Sequence, residues 1–94
     1  MIQQIARRIR VHGQVQGVCF RDWAIAQAKA LSLDGWVRNR LDGTVEILAR
    51  GLPEAIESLV AACRQGPPAA HVERVEVEDS PGLVAAGFTR KPTV

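Results

Sequence analysis

Nine consecutive residues, Gly13-Gln14-Val15-Gln16-Gly17-Val18-Cys19-Phe20-Arg21, combine two glycines, a short loop and an arginine immediately before a helix-forming segment. Those types in that order suit an anion. Backbone N–H groups of a glycine-permitted turn converge, the N-terminus of a following helix adds positive potential, and an arginine forks onto two oxygens. A terminal phosphate matches that description. A Walker A loop does not, because Gly17 is followed by Val18-Cys19 and not by Lys-Ser/Thr. On these residues alone a strand-to-helix turn of this composition can also be purely structural, and both readings stand at this point.

Other reactive side chains fit less well. A phosphatase thiolate at Cys19 would need an arginine six positions on, where the chain has Ile25. His12 lies next to the loop, but its place in an alternating strand sends it to the open sheet face as a solvated histidine. Cys63 falls in the apolar stripe of a helix and reads as core. With two cysteines, two histidines and no Cys-x-x-Cys, the chain offers neither a disulfide framework nor a metal site, and no cofactor is expected.

The elements that must position the loop follow from periodicity. Arg8 to His12 alternates polar and apolar as a half-buried strand does, and Gly13 ends it. Asp22 to Leu33 is rich in alanine, leucine and isoleucine, with Ala24, Ala28 and Leu31 at helical spacing, and Asp34-Gly35 closes that helix. Trp36 to Arg40 and Thr44 to Ala49 read as an antiparallel hairpin around Asp42-Gly43. Pro53 suits the first turn of a second helix with Leu52, Ile56, Leu59, Val60 and Cys63 as its stripe, stopped by Gly66-Pro67-Pro68. Val72 to Asp79 alternates again, and Gly87 to Lys91 is compatible with a short edge strand whose pairing Pro92 should end.

The order is β-α-β-β-α-β plus a short C-terminal strand, an α+β arrangement of the split βαβ or ferredoxin-like kind, with an antiparallel sheet and two helices on one face. At 94 residues the chain has room for a single domain spanning 1–94. The open sheet face should carry Arg8, Arg10, His12, Arg38, Arg40, Glu46, Arg50, Arg74, Glu76 and Glu78 by strand parity. Cross-strand ion pairing is the expected use of those charges.

Charge and composition narrow the function classes. The net charge is +2, with +4 in residues 1–50 and −2 in residues 51–94, and ten of the twelve cations are arginine. The basic half contains the glycine loop. No strand-borne stacking aromatics serve an RNA-reading sheet, because Phe20, Trp23, Trp36 and Phe88 avoid the first and third strands. The longest apolar run, Leu59 to Cys63, is far short of the roughly 20 residues of a bilayer span, and the N-terminus lacks a secretory apolar core. The expectation is a cytoplasmic monomer that binds a small molecule, neither nucleic acid nor membrane.

The loop motif, together with Gly35-Trp36-Val37-Arg38-Asn39 and Asp42-Gly43-Thr44-Val45-Glu46, resembles the acylphosphatases. The resemblance covers nearly the whole chain, through Ala70-His71-Val72 to Gly87-Phe88. It departs from the commonest forms at Ser32, where glycine is frequent, and in the polar tail Thr89 to Pro92. What it implies is hydrolysis of the carboxyl-phosphate bond of acyl phosphates. The backbone of Gln16, Gly17, Val18, Cys19 and Phe20, with the Arg21 side chain, would hold the phosphate, and Asn39 would position the attacking water. Such chemistry is economical in residues. A carboxylate of pKa about 4 leaves without a general acid, so charge stabilisation and in-line placement of water suffice. The alternative implied is a non-catalytic anion or carbamoyl-phosphate-binding module acting with a partner protein, as similar domains do inside larger maturation proteins.

Overall fold

The computed structural model describes residues 3–81 and 83–94. Apolar residues alternate along Ile5–Gln14 (β1), so Ile9 and Val11 face one way and Arg8, Arg10 and His12 the other. The same alternation in Asp34–Asn39 (β2) and Val45–Gly51 (β3) turns Val37, Val45, Ile47 and Ala49 to the side of Ile9 and Val11. Onto that side pack Phe20, Ala24 and Ala28 of Phe20–Ala30 (α1), and Ile56, Leu59 and Cys63 of Pro53–Gln65 (α2). Beyond Phe20 the buried face of α1 is alanine, whereas α2 contributes Ile56, Leu59 and Cys63.

His71–Asp79 (β4) and Phe88–Arg90 (β5) complete a five-stranded sheet in the order β4-β1-β3-β2-β5. The first four strands pair antiparallel, as expected, but β5 joins β2 in parallel, so the sheet as a whole is mixed. The chain beyond Pro92 also differs from expectation. Lys91 N–H donates to Val37 O at 2.9 Å, Val94 N–H reaches Asn39 O at 3.3 Å, and Leu41 N–H donates to Val94 O at 2.7 Å. Successive N–H groups of an extended chain point to opposite sides, so with Lys91 facing β2 the Pro92 nitrogen faces the open edge, where no donor is needed.

Helix α1 starts at Phe20 rather than Asp22 and ends at Ala30, three residues before the expected end. Its end is a Schellman motif: Ser32 N–H donates to Lys29 O, Leu33 N–H reaches back to Ala28 O, and Ser32 takes a left-handed φ of 58°. Leu33 then folds inward, and Asp34-Gly35 already belongs to β2. The hairpin turn is as read. Asp42 accepts both the N–H and the hydroxyl of Thr44, which pulls its carboxyl below the ordinary value.

On the open face, register puts Glu46 between Arg10 of β1 and Arg38 of β2. Its carboxylate accepts Arg38 Nε at 2.7 Å and an Arg40 guanidinium nitrogen at 2.9 Å, with Arg8 Nε 3.2 Å away. Arg8 also faces Glu78, and Glu76 takes both His12 and Arg74. The expected cross-strand pairing is therefore present.

Candidate active site

The loop between β1 and α1 is held from both ends. At its start the β1–β4 register shifts between His12 and Gly13, and a Cβ at Gly13 would lie 2.2 Å from His71 O, so only glycine allows that approach. Val15 is buried in the core below. Gln16 Nε2 donates to Arg40 O at 2.8 Å and to Thr44 O at 2.9 Å, tying the loop to the β2–β3 hairpin. That clamp brings the end of β2, and Asn39 with it, alongside the loop.

Backbone sign alternation then shapes the top of the loop. Gly17 has φ 73° and Cys19 φ 62°, with Val18 negative between them. Alternation of this kind curls a chain so that its N–H groups point into one concavity. Cys19 is the N-cap residue of α1 and supplies no side-chain cap; Trp23 N–H closes the first helical bond onto Cys19 O at 3.1 Å. The N–H groups of the first turn have no intrahelical acceptor. Phe20, edge-on to Trp23 at 5.2 Å between ring centroids, anchors that turn in the core.

Above the loop lies a cavity of about 280 Å³, walled by Gly17, Cys19, Phe20, Arg21 and Asn39. Val15 forms part of its floor, and Asp22 and Arg90 also border it. The hollow beside α2 is larger, about 420 Å³, but Ile5, Ile56, Val60 and Val77 give it an apolar wall. Two features of the smaller cavity bear on an anion. Arg21 has no ion-pair partner among the described residues, since Asp22 pairs with Arg90 and Asp34 accepts Gly87 N–H. Asn39 Oδ1 is buried and has no hydrogen-bond partner among the described residues. A buried acceptor left in that condition is costly unless a molecule in the cavity donates to it.

Of the residues singled out in the sequence, the structure gathers Gly17, Cys19, Phe20, Arg21 and Asn39 around one space. Gln16 and Val18 stand outside that lining. Gln16 uses its side chain as the clamp, and Val18 packs against the core. His12 is on the open face with Glu76, as parity requires. Cys63 is fully buried, which pushes its thiol up to about 12, and Cys19 is exposed. Arg90 and Asp22 were not anticipated at the site. A signal existed for Arg90: it is two residues beyond buried Phe88, so a paired β5 must turn it to the helix-covered side.

A ferredoxin-like sandwich with a glycine loop of alternating φ sign, an arginine without an ion pair among the described residues and a buried carboxamide oxygen around one cavity is the class of small α+β protein whose loop suits an anion. Comparison with known proteins makes the class specific. The acylphosphatase family profile matches residues 7–89. An acylphosphatase of Rhizorhabdus wittichii is 58% identical over 91 residues, covering 97% of this chain and 92% of the relative. The structure of an acylphosphatase from Coxiella burnetii superposes with a TM-score of 0.90 at 34% identity, covering 94% of this chain and 93% of that one. The chain belongs to the acylphosphatase family, and hydrolysis of acyl phosphates is its reaction. A full-length HypF, in a phosphate- and nucleotide-bound form, also superposes with a TM-score of 0.90 at 26% identity, matching 99% of this chain but 12% of its own.

Proposed function

We propose that Arg21 and the loop amides from Gln16 to Phe20 bind the phosphoryl group, and that Asn39 orients the water that attacks it. The observation that carries this reading is a buried Asn39 Oδ1 and an Arg21 at one cavity, neither with a hydrogen-bond or ion-pair partner among the described residues. In the reaction, the water oxygen forms a bond to phosphorus while the bond from phosphorus to the acyl oxygen breaks, and its electron pair departs with the carboxylate. One water proton passes to a phosphate oxygen of the substrate. Arg21 and the amides stabilise the equatorial charge of the transition state, which is where phosphoryl transfer needs help. Asn39 accepts a hydrogen bond from the water and fixes its approach in line.

No step needs a divalent ion, because the guanidinium and the amides fill the electrostatic role. Benzoyl phosphate should therefore turn over without added metal and in the presence of a chelator. Loss of activity in EDTA, restored by a divalent cation, would refute this. Simple phosphate monoesters should be poor substrates, since an alkoxide leaving group calls for a proton donor and Asn39 and Arg21 supply none. A diffusible small-molecule substrate, rather than nucleic acid, fits an open face on which Arg8, Arg38 and Arg40 are already gathered onto Glu46. The HypF likeness favours a second reading, an anion-binding module without turnover. Multiple turnovers by the purified chain would dismiss it.

A further inference from the structure

Asp22 is an anomaly at an anion site. It borders the same cavity as Arg21, and it sits in the first turn of α1, where a carboxylate competes with a bound phosphoryl group for the positive end of the helix. The side chain that answers this charge comes from the far edge of the sheet. Arg90, on β5, pairs with Asp22 through one guanidinium nitrogen and also lines the cavity. Both partners are solvent-accessible, 43% for Arg90 and 69% for Asp22, so the pair adds little to stability. Its effect must be sought in the field at the cavity.

We infer that Arg90 is a charge-masking residue: by holding the Asp22 carboxylate, it removes the repulsion that Asp22 would exert on an anionic substrate, and β5 thereby sets the affinity of the site. The inference rests on the phosphate-binding role assigned above to Arg21 and the loop. The route is traceable along the backbone. The register Val37↔Arg90 and the Lys91 N–H to Val37 O bond fix β5 against β2, on the strand that carries Asn39, so Arg90 reaches Asp22 from a defined position. Arg90 acts through Asp22 and not on the phosphorus, so it should affect binding much more than the rate of the bound complex.

A double-mutant cycle tests this, reading KM and kcat for benzoyl phosphate and the Kd of inorganic phosphate by calorimetry. Arg90→Gln should raise KM and the phosphate Kd about tenfold at low ionic strength, with the effect shrinking as salt screens the exposed carboxylate. Its kcat should move by less than about twofold, the signature of lost uniform binding. Adding Asp22→Asn to Arg90→Gln should restore both constants to about the wild-type values, because the charge being masked is gone. Arg90→Lys should keep most of the affinity, which separates charge from the folding of β5. If the double variant binds phosphate as weakly as Arg90→Gln alone, Arg90 touches the substrate itself and masking is wrong. Unchanged phosphate affinity in Arg90→Gln also overturns it. Failure of the underlying site reading shows separately, as an Arg21→Ala variant that binds phosphate normally.

Discussion

Glu46 on the open sheet face, its side chain 3% exposed, collects Arg8, Arg38 and Arg40, while at the loop cavity Arg21 has no carboxylate partner among the described residues and Asn39 Oδ1 has no donor. Both places gather arginine, but at the first a buried carboxylate answers three of them, and at the second none among the described residues answers Arg21. The difference lies in the backbone beneath. Antiparallel register sets side chains of neighbouring strands about 5 Å apart, so Glu46 is delivered to the arginines by the same ladder that carries them. The backbone of a loop entering a helix presents N–H groups and no acceptor of its own, so an arginine there faces a helix field of its own sign. Local cation density is thus a poor guide to where an anion would go.

The sharpest way to break the comparison is to remove the unmatched arginine. Arg21→Ala should lower the rate by about 10³-fold or more, as for other arginines at transferring phosphoryl groups, and should weaken competitive inhibition by phosphate. Lysine should rescue it only in part, because a point charge does not reproduce the planar fork. Asn39→Ala comes next, with a rate loss of roughly 10²–10³-fold, the scale for one oriented hydrogen-bonding group, while the phosphate inhibition constant barely moves. Equal loss of phosphate affinity in both variants would show that the two side chains do not divide binding from water orientation. Melting curves must first show both variants folded.

The open face should answer in stability rather than turnover. Glu46→Gln should cost about 2 kcal/mol, below the usual penalty for breaking a buried pair because its arginines are partly exposed, and should leave kcat near wild type. Burial alone would push the Glu46 carboxyl up, but hydrogen bonds and charge from Arg38 and Arg40 more than reverse that, leaving it below its ordinary 4.5. A depressed carboxylate contributes fully above its unfolded value and loses that contribution as pH falls through the lower folded one. Melting temperature should therefore fall with acidification below about pH 4.5 in the wild type, and less steeply in Glu46→Gln. A Glu46→Gln variant with wild-type stability and lost activity would erase the contrast between the regions.

The smallest effect is expected inside the cavity itself. Cys19→Ser should retain most activity, since the thiol lines the space but the direct attack by water has no covalent intermediate. A phosphocysteine trapped by rapid quench would overturn that. In the folded protein only Cys19 should react with a thiol reagent, Cys63 being buried with its thiol pushed up to about 12.

Much of this protein is legible in one dimension because its periods are local. Alternation in β1 and β4, the Asp42-Gly43 turn and the stripe of α2 each state which face is buried, and strand parity alone separates His12 from Asn39. The loop and its arginine are contiguous, so their chemistry can be read as a string. Other features depend on which strands become neighbours, and a chain does not encode that at short range. The parallel seat of β5 beside β2, pairing past Pro92, the Gln16 clamp onto Arg40 and Thr44, and the meeting of Arg90 with Asp22 all join residues far apart in sequence. Residue types determined which groups could bind a phosphoryl anion. The closing of β5 against β2 decided which charges surround it, because the potential at a site sums over neighbours in space and not over neighbours in the chain.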